Sequence, residues 1–243
     1  MKIYVVGIGP GGLAFMTPQA KAAIESSQVV VGYTVYVDLV KELTPGKEVL
    51  STPMKKEVDR CRLALESALD NKTVAFVCSG DAGVYGMAGI MLQVAENHPE
   101  VEIEIVPGIT AACSGAALLG APLIHDFAVI SLSDLLTPWE LIEKRLRLSA
   151  EADMSVVLYN PKSKKRRDYI DMAVKIMSEF KSMDTPAGYV KNIGRDGQKV
   201  VICTMKDLMN NDDIDMFTTA FVGNSTTEII NGKMVTPRGY KNV

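Results

Sequence analysis

The chain has 243 residues, 47% of them hydrophobic and 23% charged, with a formal net charge of -3, which fits ordinary folded protein in one large domain or two small ones. Positions 1 to 120 carry 9 Lys+Arg against 13 Asp+Glu and the remainder 17 against 16, so the basic stripe of a nucleic-acid binder is excluded. The opening "MKIYVVGIG" is too short for a signal peptide, and no run of about 18 apolar residues marks a membrane span. The expectation is a cytoplasmic protein with no membrane or nucleic-acid partner.

In chain order, the first half repeats one pattern: a β-branched run, a loop rich in Gly or Pro, then an alanine-rich helical segment. That is the pattern of parallel α/β structure. "KIYVVGIG" leads to the helix "PQAKAAIESS", and the strand "VVVG" follows. "TVAFVCSG" leads into a helical "DAGVYGMAGIMLQVAEN", and "VEIEIVPG" into "ITAACSGAALLG". Three loops therefore lie at carboxyl ends of strands, where open α/β sheets place ligands.

After "GAPLIHDFAVISLSDLL" the texture changes to a helix near "PWELIEKRLRLSAE", a strand "MSVVLYN" and a basic helix "KKRRDYIDMAVKIMSEFK". Strands near "AGYVKNI", "QKVVICT" and "FTTAFVG" complete a second α/β unit with a mixed sheet. The boundary is expected at "GAP", giving domains 1–122 and 123–243. Cys61, Cys78, Cys113 and Cys203 are scattered without a CxxC, which suits reduced thiols better than disulfides or a metal site. With only His98 and His125, a His-rich metal centre is not expected either.

Gly7, Gly9 and Gly12 spell GxGxxG, the spacing of a dinucleotide-binding turn. That fold starts its helix within the glycines and needs an acid at the end of the second strand. Here Thr17-Pro18 reads as an N-cap followed by an N1 proline, so the helix begins near 18. The second strand ends in Gly32 and Tyr33, and Asp38 comes several residues late. An NAD-dependent oxidoreductase is therefore the weaker alternative. The long loop "GIGPGGLAFMT", stiffened by Pro10 and lined by Leu13, Phe15 and Met16, suits packing against a bulky ligand.

Taken together, Gly7-x-Gly9-Pro10-Gly11 with Met16-Thr17 and Ala20, "SGDAGVYGM" at 79–87 and "VPGITAACSGAALLGAPL" at 106–123 resemble the tetrapyrrole methylases, S-adenosylmethionine-dependent enzymes of cobalamin and siroheme synthesis. Within that family, "HDFAVISLSDLLTPWE", "LYNPKSKKRRDY", "VKNIGRDGQ" and "FVGNSTT" resemble the C17-methyltransferases of precorrin-3B and cobalt-precorrin-3. The resemblance implies two α/β domains with the ligand cleft between them, a homodimer, and methylation at C17 with contraction of the macrocycle. A methylase acting at another ring position is the near alternative.

Carried over residue by residue, the resemblance implies cofactor contacts at Pro10, Ser79, Gly80, Asp81, Val84, Thr110, Ala111, Asn160, Asn192 and Gly194, with Gly11 bordering the substrate. Asp81 can accept hydrogen bonds from a ribose or an ammonium group; a capping turn is the plainer role for an Asp in "SGD". A tetrapyrrole bearing many carboxylates needs local cations. Lys162, Lys164, Lys165, Arg166, Arg167 and Arg195 supply them, and a solvated helix face is the competing reading for Lys164 and Lys165.

In "HDFAVISLSDLLTPW", Ser133 and Asp134 are candidates to face the substrate in catalysis, and Asp126 and Ser131 equally read as satisfying backbone at a strand edge. His125 is a further candidate acid or base against a structural role. Thr137-Pro138 reads as a helix start with Trp139 as a core anchor.

Overall fold

Short valine-rich and isoleucine-rich runs dictate the first sheet in the computed structural model, which describes residues 1–163 and 166–241. Strands β1 (Lys2–Gly7), β2 (Val29–Tyr33), β3 (Glu48–Thr52), β4 (Thr73–Cys78) and β5 (Glu102–Val106) lie in the order β3-β2-β4-β1-β5. All neighbours pair in parallel. The central strands are buried on both sides, as a parallel sheet covered by helices requires. Helices α1 (Pro18–Glu25) and α2 (Thr34–Leu39) pack on Val6, Ile8, Val30, Ala75 and Val77. Helices α3 (Glu57–Leu69) and α4 (Ala88–Val94) pack on Ile3, Val5, Val29, Val31, Val74 and Phe76. Thr17 caps α1 as its sequence suggests, its hydroxyl accepting from Ala20 N at 3.1 Å with Pro18 in the first turn.

The second half opens with α5 (Ala111–Leu119) and the two-residue β6 (Gly120–Ala121). A second five-stranded sheet follows: β7 (Phe127–Ser131), β8 (Ser155–Tyr159), β9 (Pro186–Lys191), β10 (Lys199–Thr204) and β11 (Thr218–Val222), in the order β10-β9-β11-β8-β7. β7 and β8 pair in parallel, and β11 runs antiparallel to both β8 and β9. Hence β7, β8 and β9 point the same way in a mixed sheet, and their carboxyl ends share one edge. Helices α6 (Trp139–Glu151) and α7 (Tyr169–Met177) bury Ile142, Leu146, Ile170 and Val174 against Ile130, Val156, Leu158 and Ala220. A hairpin of β12 (Glu228–Ile230) and β13 (Lys233–Val235) adds β6 as a third strand.

The chain divides into compact units Met1–Ala111 and Ala112–Val243, so the division falls after the first residue of α5 and not at 122. The reason is packing: a Cβ on Gly115 would lie 2.7 Å from the Phe221 ring, and one on Gly188 would lie 2.7 Å from Leu119. α5 is thus pressed onto β9 and β11.

Two other expectations change. Residues 81–87 are not helical: Tyr85 takes φ 51°, and a Cβ at Gly86 would sit 2.4 Å from the carbonyl oxygen of Ala82, so the chain turns tightly and α4 begins only at Ala88. The basic helix is also shorter than its sequence suggests. Arg166 and Arg167 precede α7, and Lys164 and Lys165 lie outside the described residues.

Glycine inside a helix normally costs up to about 1 kcal/mol relative to alanine, whereas overpacking a closed core costs about 1–3 kcal/mol. At Gly115 the second effect wins, because the neighbour is a buried ring. Gly115→Ala is expected to lower the urea midpoint of unfolding with an unchanged slope; a raised midpoint would show that Phe221 yields.

Candidate functional site

In the first unit, three strand ends meet through bare backbone. Gly9 and Gly80 exchange hydrogen bonds, Gly9 N to Gly80 O at 3.0 Å and Gly80 N to Gly9 O at 2.7 Å. Both take left-handed conformations, φ 76° and 69°. A Cβ on Gly7 would stand 2.7 Å from Gly108 N, and one on Gly108 would stand 2.1 Å from Gly80 O. The loops after β1, β4 and β5 are therefore stacked at distances only glycine permits. Gly12, the last glycine of the GxGxxG, has nothing within 4 Å of the position its Cβ would take. The third glycine of the motif is thus uncrowded, unlike that of a dinucleotide turn, and α1 begins well past it.

Asp81 fastens two of these loops, its own after β4 and the one after β5. Its Oδ1 accepts from Gly83 N at 2.7 Å and its Oδ2 from Gly108 N at 3.0 Å. Each carboxylate oxygen keeps a second lone pair, so the side chain ties loops together and still has acceptor capacity for a ligand hydroxyl or ammonium group. Pro10 and Gly11 are buried, Ser79, Thr110 and Ala111 are half-buried, and Val84 is exposed. Thr17 adds a link from its hydroxyl to the carbonyl of Pro107 at 3.4 Å.

The second unit gathers side chains where β7, β8 and β9 end. Asn160 and Asn192 follow β8 and β9 in left-handed conformations, φ 53° and 51°, which asparagine tolerates better than most residues. Asn160 Nδ2 donates to Ser131 Oγ at 2.9 Å, and that oxygen also accepts from Ser133 N at 3.2 Å. Arg166 donates through one guanidinium nitrogen to Ser133 Oγ at 2.6 Å and Asp134 Oδ1 at 3.2 Å. The Tyr169 hydroxyl donates to Asp134 Oδ2 at 2.7 Å. The Asp134 carboxyl is held below the usual carboxylate range, first by Tyr169 and then by Arg166. Around Asn192 the turn is closed by Arg195 N to Asn192 O at 2.9 Å and Gly194 N to Gln198 Oε1 at 2.8 Å. The Tyr159 hydroxyl accepts from Ala112 N at 2.7 Å and so supports the start of α5.

Two sequence candidates fall elsewhere. His125 precedes β7 while Ser133 and Asp134 follow it, so the five-residue strand separates them by roughly 16 Å at about 3.3 Å per residue. The His125 ring nitrogen Nδ1 accepts from the backbone of Asp126 at 2.9 Å, an exposed local role at the opposite sheet edge. Asp126 lies there too. Lys162 is also taken up by residues far along the chain: its ammonium donates to Asn211 O at 3.0 Å and pairs with Asp212 at 3.5 Å. Arg167 is exposed and Arg195 half-buried beside Asn192. Tyr169 and Tyr159 were not singled out by sequence; a tyrosine ending "VVLY" or opening "YIDMAV" looks like an ordinary amphipathic residue.

Residues 2–209 match the Tetrapyrrole (Corrin/Porphyrin) Methylases. The chain belongs to this family. A cobalt-factor III methyltransferase of Priestia megaterium is 46% identical over 99% of this methylase, which spans only 45% of that longer protein. A probable cobalt-factor III C(17)-methyltransferase of Salmonella typhimurium is 46% identical over 97% of this methylase and 98% of its own length. The crystal structure of the methyltransferase CobJ superposes with a TM-score of 0.89 at 36% identity, covering 97% of this chain and 99% of that one.

Glycine crowding makes a sharp test of the stacked loops. Gly108→Ala is expected to destabilise this methylase by at least about 2 kcal/mol, since backbone atoms cannot give way as a side chain can. Gly12→Ala, in open space, is expected to stay within about 0.5 kcal/mol of the parent. Thermal and urea unfolding of the two variants check both, and equal stabilities would remove the basis for the stacked arrangement.

Proposed function

We infer that this methylase transfers a methyl group from S-adenosylmethionine to C17 of precorrin-3B or cobalt-precorrin-3, with contraction of the macrocycle, in cobalamin biosynthesis. The observation that carries this is the 46% identity to the Salmonella C(17)-methyltransferase across nearly the full length of both chains. When bound, S-adenosylmethionine supplies a methyl group on a sulfonium; the new C–C bond uses the ring carbon's electron pair, and the C–S pair stays on sulfur. No protein nucleophile is needed, so the chain's part is binding, alignment and management of charge.

On the cofactor side, the reading uses Pro10, Ser79, Gly80, Asp81, Val84, Thr110, Ala111, Asn160, Asn192 and Gly194. The stacked loops of the first unit support it, because their backbone groups and the spare lone pairs of Asp81 suit a ligand rich in hydroxyl, amine and carboxylate groups. On the substrate side it uses Gly11, Arg166, Arg167 and Arg195. Guanidinium groups suit the many carboxylates of such a macrocycle through paired hydrogen bonds. Ser133 and Asp134 are the catalytic candidates, with Asp134 presented as an anion. A homodimer in the cytoplasm completes the proposal. The four free cysteines suit a reducing compartment, and no helix among the described residues is long and apolar enough to cross a membrane.

Incubation with cobalt-precorrin-3 and S-adenosylmethionine labelled at the methyl carbon tests the assignment. One label at C17 of a contracted ring is expected. A label at another carbon, or on a macrocycle of unchanged size, would overturn it.

A further inference from the structure

The loop between β7 and α6 is fastened at both ends to one side chain. At its start the Tyr169 hydroxyl donates to Asp134 Oδ2 at 2.7 Å. At its end the Trp139 ring lies against the Tyr169 ring, centroids 4.6 Å apart and planes tilted by 50°. Between the two fastenings stand Leu135 and Leu136, 65% and 93% exposed. Tyr169 itself is the first residue of α7, whose apolar side is anchored in the core through Ile170, Ala173 and Val174.

We propose that Tyr169 is a positioning residue, holding the 134–139 loop in one conformation so that Asp134 meets the substrate as an oriented, ionised hydrogen-bond acceptor. Arg166 alone cannot do this. One of its guanidinium nitrogens serves both Ser133 Oγ and Asp134 Oδ1, and a single contact on one carboxylate oxygen leaves the group free to swing about it. The second contact, on the other oxygen and from a different element, fixes the plane of the carboxylate. It also raises the cost of protonating it, because both donors favour the charged form. The charged groups that face Asp134 are Arg166 and, through Tyr169, the helix start at Asp168.

The inference rests on the role given to Asp134 above, and the test separates the two. Tyr169→Phe keeps the ring against Trp139 and removes only the hydroxyl. Its expected result is a fall in kcat of roughly tenfold, the size lost with one hydrogen bond to a charged group. KM for the tetrapyrrole and the dissociation constant for S-adenosylhomocysteine should stay within about twofold of the parent. The acid limb of the kcat profile should move to higher pH, because the carboxylate loses a donor that favours its charged form. Asp134→Asn should lose roughly a hundredfold or more of the contracted product. If Asp134→Asn turns over like the parent, the role of Asp134 falls. If Asp134→Asn is impaired but Tyr169→Phe keeps the parent's pH profile and kcat, the positioning role of Tyr169 falls. Loss of S-adenosylhomocysteine binding in Tyr169→Phe would mark a merely structural residue and overturn the proposal as well.

Discussion

Everything in the first unit follows from backbone meeting backbone at Gly7, Gly80 and Gly108. A side chain at Gly7 or Gly108 would stand 2.7 or 2.1 Å from a neighbouring main-chain atom, and Gly80 holds a left-handed conformation at φ 69°, so with other residues there the loops could not close. Closure has two consequences. It lets Asp81 tie its own loop to the loop after β5 through Gly83 N and Gly108 N, and the surface that the proposed function gives to the cofactor is then built mainly of peptide groups. Peptide groups have fixed positions and no rotamer freedom, so a site made of them loses little entropy when it is filled.

The second unit solves the same problem with side chains. Its parallel strands β7, β8 and β9 end on one edge, and Ser131, Asn160, Ser133, Arg166, Asp134 and Tyr169 are linked there by hydrogen bonds of 2.6 to 3.2 Å. Lys162, which looks available in the sequence, is compensated by Asp212 in the structure, and Lys191 is likewise paired with Asp215. Compensation matters in a chain of net charge -3. On the proposed function it leaves attraction for a polyanionic substrate to a few guanidinium groups, Arg166 among them shared with Asp134, which recognise carboxylates by shape as well as by charge.

How much of this was legible in the sequence depended on whether the signal was local. Strands such as "VVVGY" and "TVAFVC", the cap at Thr17 with Pro18, and the glycine loops at strand ends all rest on nearest-neighbour chemistry, and they form where the residues suggest. His125 is the opposite case. It lies close to Ser133 in sequence, and that closeness suggested a shared site, but a strand runs straight between them and delivers its two ends to opposite edges. Lys162 misleads for a related reason: its partners at 211 and 212 are distant in sequence. Residues 81–87 include two glycines, a weak start for a helix, and Gly86 is pinned against Ala82, so the helix waits for Ala88. The division at 111/112 likewise depends on Gly115 facing Phe221, a contact no local pattern announces.

The GxGxxG at positions 7 to 12 shows how a motif can be literal and still carry a different meaning. In a dinucleotide turn the third glycine is there so that helix and strand can pack closely. Here Gly12 is in open space, while Gly7 is crowded by Gly108, a residue about a hundred positions away and outside the motif. What identifies the loop is therefore which of its glycines are under steric pressure, and from what. On Gly7 the pressure comes from the loops after β4 and β5, and on Gly9 from Phe15 of its own loop, so the glycine pattern records a meeting of three strand ends. That meeting, with α1 starting only at Pro18, removes the helix N-terminus from the place a pyrophosphate would need it and leaves a loop long enough to border a bulky ring.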